Sequence, residues 1–499
     1  MAQADNPLPD VLYTGAQVRD LDARLIAAGT PGLELMQRAA NACWRALRLR
    51  WPHAAEVTVL AGAGNNGADG YLIAALARRA GWHATVIALA PADKLTGDAA
   101  AAFAEAQAAG VQCQPWSTGA ALRGVLVDAL LGTGLGREVQ GVYAQAIEAV
   151  NTSGLGVLAV DIPSGLNADT GHVMGTAVRA DLTVTFIALK LGLFTGEAPT
   201  LVGSLVFDDL NADASILAQV KPQATLLKPG GLPLPAPRVA TAHKGQFGRV
   251  LVIGGERGTG GAAIMAAESA LRTGAGMVSL ATRDVHLAPA LTRLPEVMTA
   301  AVDSANQLPA LIKAASVLVV GPGMGTGAWG RSLLSVAASS QTAQVWDADA
   351  LNLLSEGVVA LPSGSVITPH PGEAARLLGM STADVQADRP SAALALARKY
   401  GNVCVLKGAG SLIADPDGRL ALCDRGHPAM ATAGLGDVLS GVIGALLAQH
   451  MSAFDAACLG VWLHATAGEQ QGAKGRGLAA VDLIPAIRQL LEEVAPCKA

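Results

Sequence analysis

Residues 433–449 read AGLGDVLSGVIGALLAQ, a glycine-rich turn that runs directly into an apolar helix with one aspartate, Asp437, at the junction. The first N–H groups of a helix have no partners inside it, and together with the helix dipole they attract anions. Gly434 and Gly436 let the backbone approach a phosphate with no Cβ in the way. A carboxylate beside a phosphate needs chemistry to justify it. Accepting a proton from an alcohol that attacks the phosphate is such chemistry. Aspartate is also a favoured helix cap, so the turn alone leaves a catalytic and a structural reading open.

Working outward, the segments around this turn alternate strand and helix. Residues 249–254 (RVLVIG), 277–281 (MVSLA), 316–320 (SVLVV), 344–347 (QVWD), 365–368 (SVIT) and 403–407 (VCVLK) read as short buried strands. Glycine-rich or polar loops follow them: GGERGTGGA from Gly254, GPGMG ending at Gly325, DADALN from Asp347, TPHPGE around His370, and KGAGS from Lys407 to Ser411. Lys407 ends a strand, where its ammonium can meet phosphate oxygens. His370 sits between two prolines, either as a ligand contact or as part of a rigid turn. SLIADPDGRLALCD, with Asp417-Gly418 in its turn, reads as a β-hairpin.

The first half has the same rhythm. Residues 56–61, 84–90, 125–131, 156–162 and 182–187 read as strands, with helices at 16–28, 32–48, 70–80 and 97–109. Apolar strands alternating with helices predict parallel sheets covered on both faces, with ligands at the carboxyl ends of the strands. Three loops stand there: Gly62-Ala-Gly-Asn-Asn-Gly-Ala-Asp-Gly70, Asp128 followed by ALLGTGLGRE, and Asp161-Ile-Pro-Ser164-Gly165. The first matches GxGxxG, a weak signal alone, and the next strand ends without the acid that a ribose would need. Asn66, Asp128 and Ser164 offer oxygens only, a set that suits a hard cation.

Between the halves, KPQATLLKPGGLPLPAPRV (221–239) carries prolines at 222, 229, 233, 235 and 237. Proline at that density cannot continue a helix or a central strand, so 222–239 reads as an extended connector between domains at 1–221 and 240–499. The length of 499 residues fits two domains. The net charge of −5 gives no electrostatic footprint for nucleic acid. No strongly apolar run is long enough to span a membrane, and MAQADNPLPD carries acids where a secretory signal carries bases. The six cysteines are scattered without a CxxC pair, which predicts neither disulfides nor a zinc site and fits a reducing cytoplasm. Alanine- and glycine-rich helical surfaces suit assembly into a homo-oligomer.

The three first-half motifs together resemble the epimerase domain of the NAD(P)H-hydrate repair enzymes, over most of 10–220. The likeness implies a Rossmann-like three-layer α/β/α domain. It implies that Asn65, Asn66, Gly67, Ala68 and Asp69, with Gly132, Thr133, Gly134, Leu135, Gly136, Arg137 and Glu138, hold the hydrated nucleotide. By the same likeness K+ is held at Asn66, Asp128 and Ser164, and Asp161 faces the reacting ring as acid/base. Ala68 departs from the family's usual glycine and is expected to put a methyl group near the cradled phosphate or ring.

The second half, about 241–491, resembles the ribokinase-like dehydratase domain of the same enzymes. AGLGD is shared with many ribokinase-like kinases, whereas HKGQFGRVLVIGG, GPGMG, DADALN, TPHPGE and KGAGS are more particular to the dehydratase. The likeness implies that Lys407, Gly408, Ala409, Gly410, Ser411 and Gly436 contact an adenine nucleotide carried with Mg2+. Gly325, His370 and Asp437 would then lie against the hydrated nicotinamide nucleotide, with Asp437 as base. ADP and ATP both remain open as phosphoryl donor, with bacterial relatives resembling ADP users. Two other readings survive: a ribokinase-like kinase of a small alcohol, and a first half that only binds or scaffolds.

Overall fold

The computed structural model describes residues 8–498; residues 1–7, on which part of the reading of the N-terminus rests, lie outside the described residues. The chain divides into two compact units, one reaching to Thr225 and one starting at Leu226.

The main sheet of the first unit has seven strands: β1 (Glu56–Ala61), β2 (His83–Ala88), β3 (Gln112–Pro115), β4 (Val125–Ala129), β5 (Val157–Val160), β6 (Leu182–Phe186) and β7 (Ser204–Asp208). Their order across the sheet is β3-β2-β1-β4-β5-β6-β7, and every neighbouring pair is parallel. Alternate residues face opposite sides of a strand, and the core shows it. Val57, Val59, Val125 and Val127 pack with the helices Gly32–Arg50 and Asn65–Arg79. Leu60 and Leu126 pack on the other face with Ile147 and Val150 of the helix Gly141–Thr152. The strand order reverses between β1 and β4, where a crevice opens at the carboxyl ends.

The asparagine motif corrects one expectation. The helix begins at Asn65, not at 70, with Gly64 as an extended N-cap (φ −94°, ψ −170°). The asparagines therefore form a helical first turn rather than a loop. Its glycines permit close approach: a Cβ on Gly67 would stand 2.1 Å from the Gly62 carbonyl oxygen, and one on Gly70 would stand 2.6 Å from the Ala129 Cβ.

The proposed connector is corrected as well. Ala224–Leu226 is a strand whose Thr225 and Ala224 pair antiparallel with Val11 and Leu12. Leu227 and Leu232 are buried in the core of the second unit. The prolines at 222, 229 and 233 flank this strand instead of interrupting it, so a dense proline count did not prevent pairing.

The second unit holds β8 (Arg249–Ile253), β9 (Met277–Thr282), β10 (Met298–Ala301), β11 (Val317–Val320), β12 (Ala343–Trp346), β13 (Val366–Ile367), β14 (Val403–Leu406), β15 (Ser411–Ala414) and β16 (Leu420–Cys423). They run in the order β10-β9-β8-β11-β12-β13-β14-β15-β16. Pairs from β10 to β14 are parallel. The last two pairs are antiparallel, and β15 with β16 forms the expected hairpin, with Gly418 at φ 92° in its turn. The helix Leu435–Ala448 is apolar on nearly all sides and accordingly buried. Gly441 and Gly444 let it pack closely: Cβ atoms there would stand 2.1 Å from the Ala266 carbonyl oxygen and 2.5 Å from a Val319 methyl.

Among the described residues no helix is long and apolar enough to cross a membrane. All six cysteines are free, as expected.

Two candidate active sites

In the first unit a cavity of about 780 Å³ lies at the carboxyl ends of β1, β4 and β5. Its wall includes Asn65, Asn66, Asp69, Gly132, Thr133, Gly134, Leu135, Gly136, Arg137 and Asp161. Gly67, Ala68 and Glu138 are not among the wall residues. Ala68 is 1% exposed and packs in the core, so its methyl points into the protein and not, as expected from the sequence, toward the ligand side.

Asp161 holds a left-handed backbone conformation, φ 68°. For a residue with a Cβ this costs roughly 1–3 kcal/mol and persists where function requires it. Ile187 (φ 62°) and Leu210 (φ 54°) on the same wall share the conformation. The Asp161 Oδ1 accepts hydrogen bonds from Lys190 Nζ, from Thr185 Oγ1 at 3.2 Å and from the Phe186 amide at 3.3 Å. Lys190 is fully buried, and its ammonium also donates to Thr185 Oγ1 at 2.9 Å and the Phe186 carbonyl at 3.0 Å. This lysine was missed in the sequence. Its signal was one charge inside an apolar run, FIALKLGLF, where a buried cation demands a partner.

Asp69 stands on the wall with its Oδ1 buried and without a hydrogen-bond partner. Burial, then the charges of Asp161 and Asp22, push its carboxyl well above the usual range. Asp22, also on the wall and also missed, is raised by burial and by Asp161. It comes from the helix Gly15–Ala27, where nothing in the sequence distinguished it.

Below this wall Asp128 is fully buried. It accepts from Ser164 Oγ at 2.5 Å and from the Ser164 amide at 2.7 Å. Burial still raises it to about 6, against those bonds. Asn66 lies beside the loop: a Cβ on Gly132 would stand 3.4 Å from the Asn66 Cβ. The Asn66 Nδ2 is buried without a partner.

In the second unit the helix Leu435–Ala448 takes Gly434, φ 90°, as its cap, so Asp437 stands three residues in and is not the N-cap. Burial, then the charge of Asp347, raises the Asp437 carboxyl to about 7, with Lys407 pulling the other way. Lys407 Nζ donates to Asp347 Oδ1 at 2.7 Å and lies 3.8 Å from Glu373 Oε2. Burial lowers the Lys407 pKa, but Asp347 and Glu373 outweigh it and the net shift is upward. Glu373 is raised to about 7 by burial, against the charge of Lys407. A Cβ on Gly436 would stand 3.1 Å from both Asp347 Oδ2 and Lys407 Nζ, so the glycine turn rests directly on this ion pair.

His370 caps the helix Pro371–Leu378, its Nδ1 accepting from the Gly372 amide at 3.0 Å. Its amide donates to Glu373 Oε2 at 2.7 Å. Burial, then Lys407, keeps the imidazole below its ordinary pKa. The Gly325 amide donates to Asp349 Oδ2 at 2.8 Å. Ala348, between Asp347 and Asp349, is left-handed at φ 50°. The structure thus brings Gly325, His370, Lys407, Gly436 and Asp437 together through Asp347, Asp349 and Glu373. These three carboxylates stood in the quoted motifs without being singled out.

Comparison with known proteins decides the affiliation of this pair of sites. Residues 250–489 match the NAD(P)H-hydrate dehydratase family, and residues 32–192 match a family described as YjeF-related protein N-terminus. The chain is 46% identical to a bifunctional NAD(P)H-hydrate repair enzyme of Coxiella burnetii, over 96% of this chain and 99% of that one. It is 42% identical to its counterpart in Escherichia coli, over 92% and 89%. The chain belongs to the bifunctional NAD(P)H-hydrate repair enzymes.

A ribokinase-like superfamily protein of Enterococcus faecalis is similar in structure, with a TM-score of 0.52 and 28% identity over 56% of this chain and 98% of that one. The repair enzyme's two halves are accordingly a Rossmann-like unit and a ribokinase-like unit. Both candidate sites fall within the matched segments. Among the wall residues named, Asp22 lies ahead of the YjeF-related match and Leu210 beyond it.

Proposed function

We propose that the first unit interconverts the R and S hydrates of NADH and NADPH. The second unit dehydrates the S hydrate at the expense of ADP or ATP, releasing phosphate and AMP or ADP. The observation that carries the dehydratase reading is Asp437: a half-buried carboxylate, raised to about 7, on a glycine turn laid over the Lys407–Asp347 pair.

Hydroxide is a poor leaving group. Asp437 takes the proton of the ring hydroxyl as that oxygen attacks the terminal phosphorus of the nucleotide. The bond from phosphorus to the bridging oxygen breaks, and AMP or ADP leaves. The ring carbon–oxygen bond of the phosphate ester then breaks, pushed by the ring nitrogen; orthophosphate leaves, and loss of a ring proton restores the double bond. Amides of the glycine turn stabilise charge on the transferring group. Mg2+ would arrive on the nucleotide phosphates: Asp347, Glu373 and Asp437 all act on the Lys407 ammonium, and Asp347, Asp349 and Glu373 all raise Asp437, a surplus of carboxylates that suits added positive charge.

In the first unit Asp161 is the acid/base, with Oδ1 held by Lys190, Thr185 and the Phe186 amide. K+ fits at Asn66, Asp128 and Ser164. The donors are oxygens, and the buried Asp128 carries charge that a cation would neutralise. Bound there, it would tie the ends of β4 and β5 beneath the substrate.

The direct test is to incubate the protein with hydrated NADH and ADP or ATP. Recovery of the reduced-nicotinamide absorbance with release of orthophosphate is expected. An accumulating phosphate ester would point to the small-alcohol kinase instead.

The pH profile tests the base. Asp437 works only deprotonated, so kcat/KM for dehydration should rise with pH through about 7 and level off above. Glu373 raises Asp437, so Glu373→Gln should move this limb to lower pH without abolishing it. A flat profile down to pH ~5, below the raised value, assigns the base elsewhere.

Gly436→Ala tests the turn. Alanine suits a helix better than glycine by about 1 kcal/mol, so the melting temperature should hold or rise. The new methyl crowds Asp347 and Lys407, and the KM for nucleotide should rise about tenfold, the equivalent of ~1.4 kcal/mol. An unchanged KM would remove the turn from the nucleotide site.

A further inference from the structure

We propose that Arg389 is a positioning residue for the adenine nucleotide: its buried guanidinium holds carbonyls of the 406–411 segment inward and so turns the Gly408 amide outward. The inference rests on the reading of residues 407–411 as nucleotide-contacting.

Arg389 opens the helix Arg389–Tyr400 and is 1% exposed. Its Nη2 reaches the carbonyl oxygens of Leu406 at 3.5 Å, Lys407 at 3.2 Å and Gly410 at 3.4 Å. Its Nη1 donates to Gln386 Oε1 at 2.8 Å. Burial lowers its pKa to about 10, which leaves it charged at neutral pH. Placing that charge inside the protein is costly, and an apolar side chain of similar volume would fill the space more favourably. What only arginine offers is a planar fork of donors, and here the fork is directed onto one loop.

The consequence for the loop follows from peptide geometry. In a trans peptide the C=O and the following N–H point to opposite sides. With the Lys407 carbonyl drawn toward Arg389, the amide of Gly408 points away from it, while Ser411 opens β15 and pairs with Cys423 in the hairpin. Gly408 is exposed at the loop tip. Gly408 (φ 137°) and Gly410 (φ 64°) supply the backbone conformations that this inversion requires. A Cβ on Gly408 would stand 2.9 Å from both terminal nitrogens of Arg389, so the loop is laid directly on the guanidinium. Ser411 Oγ secures the Gly408 carbonyl at 3.0 Å. An amide turned outward at an exposed glycine tip offers a donor to an anion.

The test uses the full chain. Arg389→Gln should raise both the nucleotide KM and the Kd for ADP by about tenfold or more. The kcat at saturating nucleotide and the KM for the hydrate should stay within about threefold. Arg389→Lys keeps charge but loses the fork, and should fall between. In Arg389→Ala, millimolar guanidinium should restore nucleotide affinity where sodium does not. A folded Arg389→Gln with unchanged nucleotide affinity overturns the inference, as does a parallel rise in both KM values. If Arg389→Gln does not fold, Gln386→Ala loosens the guanidinium while leaving it in place; a nucleotide-selective rise in KM is expected, and no change overturns the proposal. Gly410→Ala separates the two levels. If it weakens ADP binding and the Arg389 variants do not, the positioning role alone fails. If neither does, the nucleotide reading of the loop fails with it.

Discussion

Replacing Asp437 by asparagine is expected to slow dehydration by about 10²–10⁴-fold, the usual worth of a positioned general base, while the fold and nucleotide affinity survive. Asparagine keeps the shape and loses only the ability to take a proton. The side chain is not the helix cap, since Gly434 holds that place. Its charge is also disfavoured where it stands, by burial and by Asp347, so a neutral amide should leave the melting temperature unchanged or higher. One negative charge fewer beside the phosphates should leave ADP binding as tight or tighter. Steady-state dehydration, thermal melting and an ADP titration on one preparation check all three. A variant that dehydrates at the wild-type rate ends the general-base assignment, and one that unfolds restores the structural reading of this aspartate.

Asp161→Asn is the second large effect. It should reduce epimerisation by about 10²–10⁴-fold and leave dehydration of the S hydrate untouched. The asparagine Oδ1 can still accept from Lys190, Thr185 and the Phe186 amide, so the strained backbone keeps its support. Supplied with mixed hydrates and nucleotide, the variant should recover the S fraction promptly and then stall, where the unaltered protein proceeds to completion. Epimerisation at an unchanged rate would assign the acid/base elsewhere and return the first unit to a binding role.

The sites were legible in the sequence to different degrees. Asp437, Lys407 and Gly436 stand in short glycine-bearing motifs after strands, and local spacing suffices to place such residues at one sheet edge. Asp128, Ser164 and Asn66 were legible in the same way, because β1, β4 and β5 are neighbours that deliver their loops together. Lys190 and Arg389 were not. Each lies at an element end without a motif, and each acts through partners that the fold supplies: Asp161 is 29 residues from Lys190, and the Lys407 carbonyl is 18 from Arg389. Ala68 shows the converse. Its place in the motif suggested a ligand contact, but the helical turn points it into the core.

The chain's own pattern settled the alternation of strands and helices, the parallel character of the sheets and the edge at which chemistry gathers, because hydrophobic periodicity and glycine turns act over a few neighbouring residues. Only the folded structure decided which charges share a dry environment. That choice raises Asp437 toward neutrality, ties Lys190 to Asp161 and lays a loop over Arg389. Desolvation and Coulomb forces act through space, between groups that the linear order keeps far apart.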